Sequence, residues 1–277
     1  MRLVSRLFWS LAGVGTIVSA SGELEVGIVF PRANETYAPM KNFPIVFAVH
    51  NPRAAELLAL DFDTTIRYYS PDGTDDIQSI GLQRNLADTN FTSDPYFVYH
   101  YVDLETEGRH WMWSDVYWQH CGVVPQGYPG SNTFEWAVNG TKIYGYDFFI
   151  KKGAREVDLV AATAVDRTCS TDSGFAITVS DETHDVPAAR RIIPAGTCAL
   201  LASPSPTPTA KPCQVKLDSA TTASMSAAWH AQLCSHPEPW RPDDCPKEEE
   251  NSVQRLAVAG VASFAAALGA AGFLLLA

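Results

Sequence analysis

The densest run of chemistry-bearing side chains lies between Tyr96 and Cys121, YFVYHYVDLETEGRHWMWSDVYWQHC. Here Tyr99, Tyr101, Trp111, Trp113, Tyr117 and Trp118 are interleaved with His100, His110 and His120. Side chains alternate between the faces of a strand, so Trp111 and Trp113 share one face and His110 and Met112 the other. Such a run can fill a β core, the usual use of aromatic area, or it can offer Trp111, Trp113 and Tyr117 as a stacking platform for sugar rings. Core packing is the preferred reading. The histidines invite a metal, but a hairpin turning near Thr106 sets His100 opposite Trp113 and His110 opposite Asp103, on different faces. No metal ligand is expected.

Other constellations carry less. Asp61-Phe62-Asp63 and Asp75-Asp76 could hold a cation through carboxylate oxygens, but acidic pairs beside turns are ordinary solvated features in so acidic a chain. A copper centre built on an N-terminal histidine fails, because the expected first residue of the mature chain is Ser21 or Glu23. There is no nucleophile elbow, no His-Glu-x-x-His helix and no glycine-rich phosphate cradle. Glycoside hydrolysis needs two carboxylates set across a cleft, which sequence alone does not pair. No cofactor and no catalytic residue is expected.

The ends of the chain say more. Arg2 and Arg6, the apolar run Leu7 to Val18 and the small residues Val18-Ser19-Ala20 have the order of a secretory signal peptide over residues 1–20, cleaved after Ala20 or after Gly22. Leu256 to Ala277 carries no charge and is long enough for a hydrocarbon core of about 30 Å. The nearest cation, Arg255, precedes it, which favours a removable lipid-anchor signal with attachment at Asn251 over a single span. A secretory route makes the six cysteines, Cys121, Cys169, Cys198, Cys213, Cys234 and Cys245, disulfide candidates. The expected pairing is Cys121 with Cys169 and the last four among themselves. Asn34-Glu35-Thr36, Asn90-Phe91-Thr92 and Asn139-Gly140-Thr141 are sequons for N-glycans.

The elements that must position these groups read as short strands: Leu24 to Phe30, Pro44 to His50, Thr64 to Tyr69, Tyr96 to Leu104, His110 to Gln119, Lys142 to Ile150, Glu156 to Thr163, Phe175 to Val179 and Gln214 to Leu217. Ser70-Pro71-Asp72-Gly73 is a turn, Glu107-Gly108 closes a hairpin, and Pro52 to Leu60 suits a turn or two of helix. The expected fold is all-β: an antiparallel immunoglobulin-like β-sandwich ectodomain over residues 21–234, with an apolar C-terminal helix. Ser203 to Pro212 is a Pro/Ser/Thr loop or linker, with a final pair of strands reaching Cys234. Residues 235–251 form an acidic, Pro-rich stalk, and 252–277 the anchor signal or transmembrane tail.

Charge narrows the partners. Removing Arg2, Arg6 and Arg255 from the 20 basic residues leaves region 21–251 with 17 against 31 acidic ones, a net charge of about −14. Nucleic acid and anionic membrane surfaces are thereby disfavoured.

Val29-Phe30-Pro31-Arg32-Ala33-Asn34-Glu35-Thr36-Tyr37-Ala38-Pro39 and then Phe43-Pro44-Ile45-Val46-Phe47-Ala48-Val49-His50-Asn51-Pro52 resemble the opening of a family of secreted filamentous-fungal proteins, domain of unknown function 7136. The Trp-rich segment ending at Cys121, Asp158-Leu159-Val160-Ala161-Ala162-Thr163, the Thr197-Cys198-Ala199 region and the Pro-Cys-x-Val-Lys string at Cys213 extend the resemblance across most of residues 24–217. It implies a fungal source and an extracellular or cell-wall setting, and carries no catalytic or ligand residues. The expected function is that of a noncatalytic, surface-anchored glycoprotein with a structural or adhesive role in the cell wall. The alternatives are a carbohydrate-binding module on wall polysaccharide and a wall-active glycoside hydrolase.

Overall fold

The computed structural model describes residues 22–70, 79–87, 89–123, 134–164, 173–186, 196–202, 215–237 and 241–246, with backbone alone for 122–123 and 134–144. The chain divides into two units, Met1–Met225 and Ser226–Ala277.

The first unit is built from two five-stranded sheets. One has the order β10-β9-β1-β3-β6, with β1 Gly22–Phe30, β3 Met40–His50, β6 Tyr96–Leu104, β9 Gly174–Asp185 and β10 Thr197–Leu201. The other has the order β2-β8-β7-β4-β5, with β2 Thr36–Tyr37, β4 Asp61–Tyr69, β5 Ser79–Asn85, β7 Gly108–Val123 and β8 Phe134–Ile150. Among the described residues every pairing is antiparallel except the short parallel contact of β2 with β8. The fold is an all-β sandwich.

Alternation along the strands makes the core. Leu24, Val26 and Ile28 of β1 and Phe43, Ile45 and Phe47 of β3 point inward and meet Phe62 and Ile66 of β4, Met112 and Val116 of β7 and Phe148 of β8, all buried. Phe43 stacks on Phe148 at 5.5 Å, and Phe47 tilts against Phe62 at 5.3 Å. The one hydroxyl pair on this inner surface is satisfied internally, Thr64 Oγ1 lying 2.8 Å from Ser114 Oγ across the β4–β7 pairing. Phe43 to Val49 is buried at every position, because the outer face of β3 is covered as well. That explains an unbroken apolar run where a half-exposed strand would alternate.

Several expected elements differ. Tyr96 to Leu104 and His110 to Gln119 are strands but do not form a hairpin: β6 pairs with β3 and β7 with β4 and β8, so Glu105 to Glu107 carries the chain from one sheet to the other. Gly108 makes that corner possible, since at φ +147° a Cβ there would come within 2.6 Å of the Tyr68 ring. Glu156 to Thr163 contains a helix, α2 (Leu159–Ala164), where Asp158 Oδ1 accepts the Ala161 N–H at 3.0 Å. Residues 215–218 are not a strand. The segment reaching Cys234 is a helix, α3 (Ser219–Cys234), opened by the Thr221 N–H donating to Asp218 Oδ1 at 2.6 Å. The helix expected at Pro52 is real but short, α1 (Pro52–Ala55).

The expected Cys121–Cys169 pairing is also corrected. Cys121 in β7 is bonded to Cys198 in β10, which joins the two sheets beside Val186, and Cys169 is not its partner. Sheet packing brings these cysteines together across a separation of 77 residues. In the second unit Cys245 closes back on Cys234. Cys169 and Cys213 lie outside the described residues, as do the expected signal peptide, the Ser70-Pro71-Asp72-Gly73 turn beyond Ser70, the linker tract, Asn251 and the apolar tail. Among the described residues no helix is long and apolar enough to cross a membrane.

Candidate functional site

The site grows out of β7, the central strand of the second sheet. His110, Met112, Ser114, Val116 and Trp118 point inward and are buried, Trp118 stacking on Phe175 of the opposite sheet at 5.7 Å. Trp111, Trp113, Asp115 and Tyr117 therefore point outward. The preference for core packing holds for Trp118 and fails for Trp111, Trp113 and Tyr117, which lie on the outer face with Tyr117 40% exposed.

Neighbouring strands extend this face. In register beside β7, β4 places Asp61 against Tyr117, Asp63 against Asp115, Thr65 against Trp113, Arg67 against Trp111 and Tyr69 against Arg109. On the other side β8 sets Phe149 beside Arg109 and Asp147 beside Trp111. The Trp111 and Trp113 rings lie 4.5 Å apart at 34°. The Arg67 guanidinium covers Trp113 at 4.8 Å, and that of Arg109 covers Tyr69 at 4.9 Å while its Nε donates to Asp147 Oδ1 at 2.7 Å. The Asp147 hydrogen bond raises the Arg109 pKa further above its ordinary value. Arg67 Nε is buried and has no hydrogen-bond acceptor among the described residues.

A bulge aims Trp113. The β7–β8 register shifts between Met112↔Tyr146 and Ser114↔Ile143, so two residues of β8 face Trp113 alone. One of them is Gly145, where a Cβ would fall 1.7 Å from the Met112 carbonyl oxygen and 2.8 Å from Trp113 Cβ. Only glycine allows the strands to approach so closely here. Sequence inspection passed over Gly145, whose only signal was a glycine inside an aromatic strand, Tyr144-Gly145-Tyr146.

The histidines do not converge. His100 lies in the other sheet opposite Ile45, not Trp113, while His110 lies beside Tyr68 and Phe148, not Asp103. Burial, then the charge of Arg84, lowers the His100 pKa to about 4. Burial also lowers His110, against a hydrogen-bonding contact with the Gly108 carbonyl, and lowers His120. Asp61 and Asp63 stand on the outer face of β4 and join no group of three potential metal ligands among the described residues; Asp75-Asp76 lies outside them. Asn34, at φ 60° in a turn, and Asn90, in the β5–β6 connection, are exposed, as both sequons require, and Asn139 sits in β8 across from Trp118.

A groove lies on the first sheet. It encloses about 870 Å³ between Glu23 and Glu25 of β1, His50 at the end of β3, Asn51 after it, Asp94 before β6, Phe97 in β6, and Lys216 and Asp218 before α3. His50 Nδ1 lies 3.5 Å from Asp94 Oδ1, and Asp218 is engaged in capping α3.

Fold and site together define a largely antiparallel two-sheet sandwich with an aromatic outer face on its second sheet and no convergent catalytic set among the described residues. The chain belongs to the family of domain of unknown function DUF7136, whose profile matches residues 19–245. No curated protein and no solved structure matches it.

Proposed function

We propose that the protein is a noncatalytic, secreted surface glycoprotein of the fungal cell wall that holds wall polysaccharide on the outer face of its second sheet. Trp111, Trp113 and Tyr117 stack on the apolar faces of sugar rings, and the carboxylates of Asp61, Asp63 and Asp115 accept hydrogen bonds from sugar hydroxyls. The observation that carries the reading is the outward pair Trp111 and Trp113, 4.5 Å apart and each partly exposed among the described residues. Aromatic area outside a core costs hydration free energy unless a partner covers it.

The wider setting belongs to the same proposal. A signal peptide over residues 1–20 routes the chain outward, N-glycans occupy Asn34 and Asn90, and a lipid anchor at Asn251 or a span within 252–277 holds it at the plasma membrane or wall. The Cys121–Cys198 and Cys234–Cys245 bridges support an oxidising destination. The sandwich is of immunoglobulin-like type: β1-β3-β6 stands for strands A, B and E, β8-β7-β4 for G, F and C, and the parallel β2–β8 contact supports the assignment.

Co-sedimentation of the purified chain with insoluble β-glucan and chitin tests the binding. Retention of the native chain is expected, with loss in a Trp111→Ala/Trp113→Ala variant of unchanged fold; equal retention of both proteins overturns the reading.

One observation favours a second reading, wall-glycan hydrolysis: the groove beside Glu23, Glu25 and Asp94, since hydrolases set paired carboxylates across a cleft. Release of reducing ends by the native chain and not by Glu25→Gln would favour it over a purely binding role.

A further inference from the structure

The second unit holds a group of side chains that the proposed binding face does not use. His230 and Cys234 lie one turn apart on the same side of α3, and the Cys234–Cys245 bridge sets Cys245 beside them. His230 Nδ1 is 3.7 Å from Cys234 Sγ, and His230 Nε2 is 3.1 Å from Asp244 Oδ2. One ligand atom each from His230, Cys234 and Cys245 lies within 4.8 Å of the others, the only such group of three among the described residues.

One of these distances is that expected across a metal centre, although His230 Nε2 also lies 3.9 Å from Cys234 Sγ. Around a tetrahedral zinc ion, with Zn–S of about 2.3 Å and Zn–N of about 2.0 Å, a sulfur and a nitrogen stand roughly 3.6 Å apart and two sulfurs roughly 3.8 Å. The His230–Cys234 pair already has that separation. The two sulfurs reach it only after the bond between them is opened.

We propose that reduction of the Cys234–Cys245 bridge creates a site for a thiophilic divalent cation of the zinc type, held by Cys234, Cys245 and His230 Nδ1, with Asp244 as a positioning residue. A dithiol supplies the two electrons and two protons: it closes to its own disulfide as Cys234 and Cys245 become thiols. The cation then displaces both thiol protons to solvent, forms two metal–sulfur bonds and takes the lone pair of His230 Nδ1. His230 Nε2–H donates to Asp244, the carboxylate–histidine–metal arrangement that fixes ring and tautomer. Because the same sulfurs serve the bridge and the cation, the oxidised and metal-bound forms exclude one another.

Cobalt(II) is the probe, added without oxygen to the full chain in the presence of a phosphine reductant. Reduced protein is expected to show a thiolate-to-cobalt charge-transfer band that saturates at one equivalent, whereas oxidised protein shows none. The Cys245→Ser variant is expected to lack the band, and Asp244→Asn to weaken cobalt affinity about 10- to 100-fold at unchanged helix content. A reduced chain without the band, or a band that survives in Cys245→Ser, overturns the site; unchanged affinity in Asp244→Asn overturns the role of Asp244.

Discussion

The outer faces of the two sheets have opposite fates. On the first sheet Val46, Ala48 and Ala176 point away from the sandwich and are nonetheless buried, and α2 packs against β1 with Leu159 and Leu217 buried nearby. On the second sheet Thr65, Arg67, Tyr69, Trp111, Trp113 and Asp115 remain partly open, while Tyr117 and Phe149 are exposed. The covered face carries small aliphatic residues on β1, β3 and β9 and the partly exposed rings of Phe97, Tyr99 and Tyr101 on its edge strand β6, whereas the second sheet sets Trp111, Trp113 and Tyr117 along its central strand. The proposed polysaccharide would cover the rings of that central strand.

The largest expected effect breaks the comparison by exchanging the environments. Val46→Asp, which buries a charge under the covering segments, is expected to cost upwards of about 4 kcal/mol, while Thr65→Asp on the open sheet stays within about 1 kcal/mol. Chemical denaturation of the two variants reads the difference. Along β7 the contrast can be drawn within one strand: Trp118→Ala is expected to lose about 3–5 kcal/mol of stability, as buried aromatic truncations do. Trp113→Ala is expected to lose far less stability and at least about tenfold in polysaccharide affinity, or roughly 1.4 kcal/mol.

Gly145→Ala sharpens the account of how Trp113 is aimed. The added methyl group would fall against the Met112 carbonyl, so a loss of about 3 kcal/mol is expected, together with weaker binding. A variant as stable as the native chain would show that the bulge relaxes without help from glycine.

A further effect concerns pH. Folding lowers the His100 pKa from 6.5 to about 4, chiefly through burial, so the unfolded chain binds the proton more readily. His100 therefore contributes its full stability above pH 6.5 and loses it as pH falls towards about 4. Denaturation midpoints of native protein and His100→Phe are expected to converge or cross in that window, and parallel pH profiles would contradict the burial argument.

Much of this architecture was legible because strands announce themselves by alternation: β1, β3, β4, β6, β7 and β8 all contain their expected cores. The apolar content of both faces of β7 suits its central place in the second sheet. The partner of a strand was less visible, since a short connection with Gly108 serves a hairpin and a sheet-to-sheet corner equally well. The helix α3 was hidden because its apolar residues form no stripe and, among them, only Met225 is buried. At the site, alternation correctly separated Trp111 and Trp113 from His110 and Met112, but which face meets solvent is decided by the opposing sheet, Phe175 included, and not by β7 itself. The Cys121–Cys198 bridge was concealed for the same reason.

Hydroxyl-radical footprinting of the full chain, with and without soluble β-glucan or chitin oligosaccharide, tests the central claim most directly. The account predicts protection of Trp111, Trp113 and Tyr117, with Phe97, Tyr99 and Tyr101 of β6 labelled equally in both states. Protection of Phe97 beside the groove in place of the tryptophans, or no protection from either sugar, would contradict it.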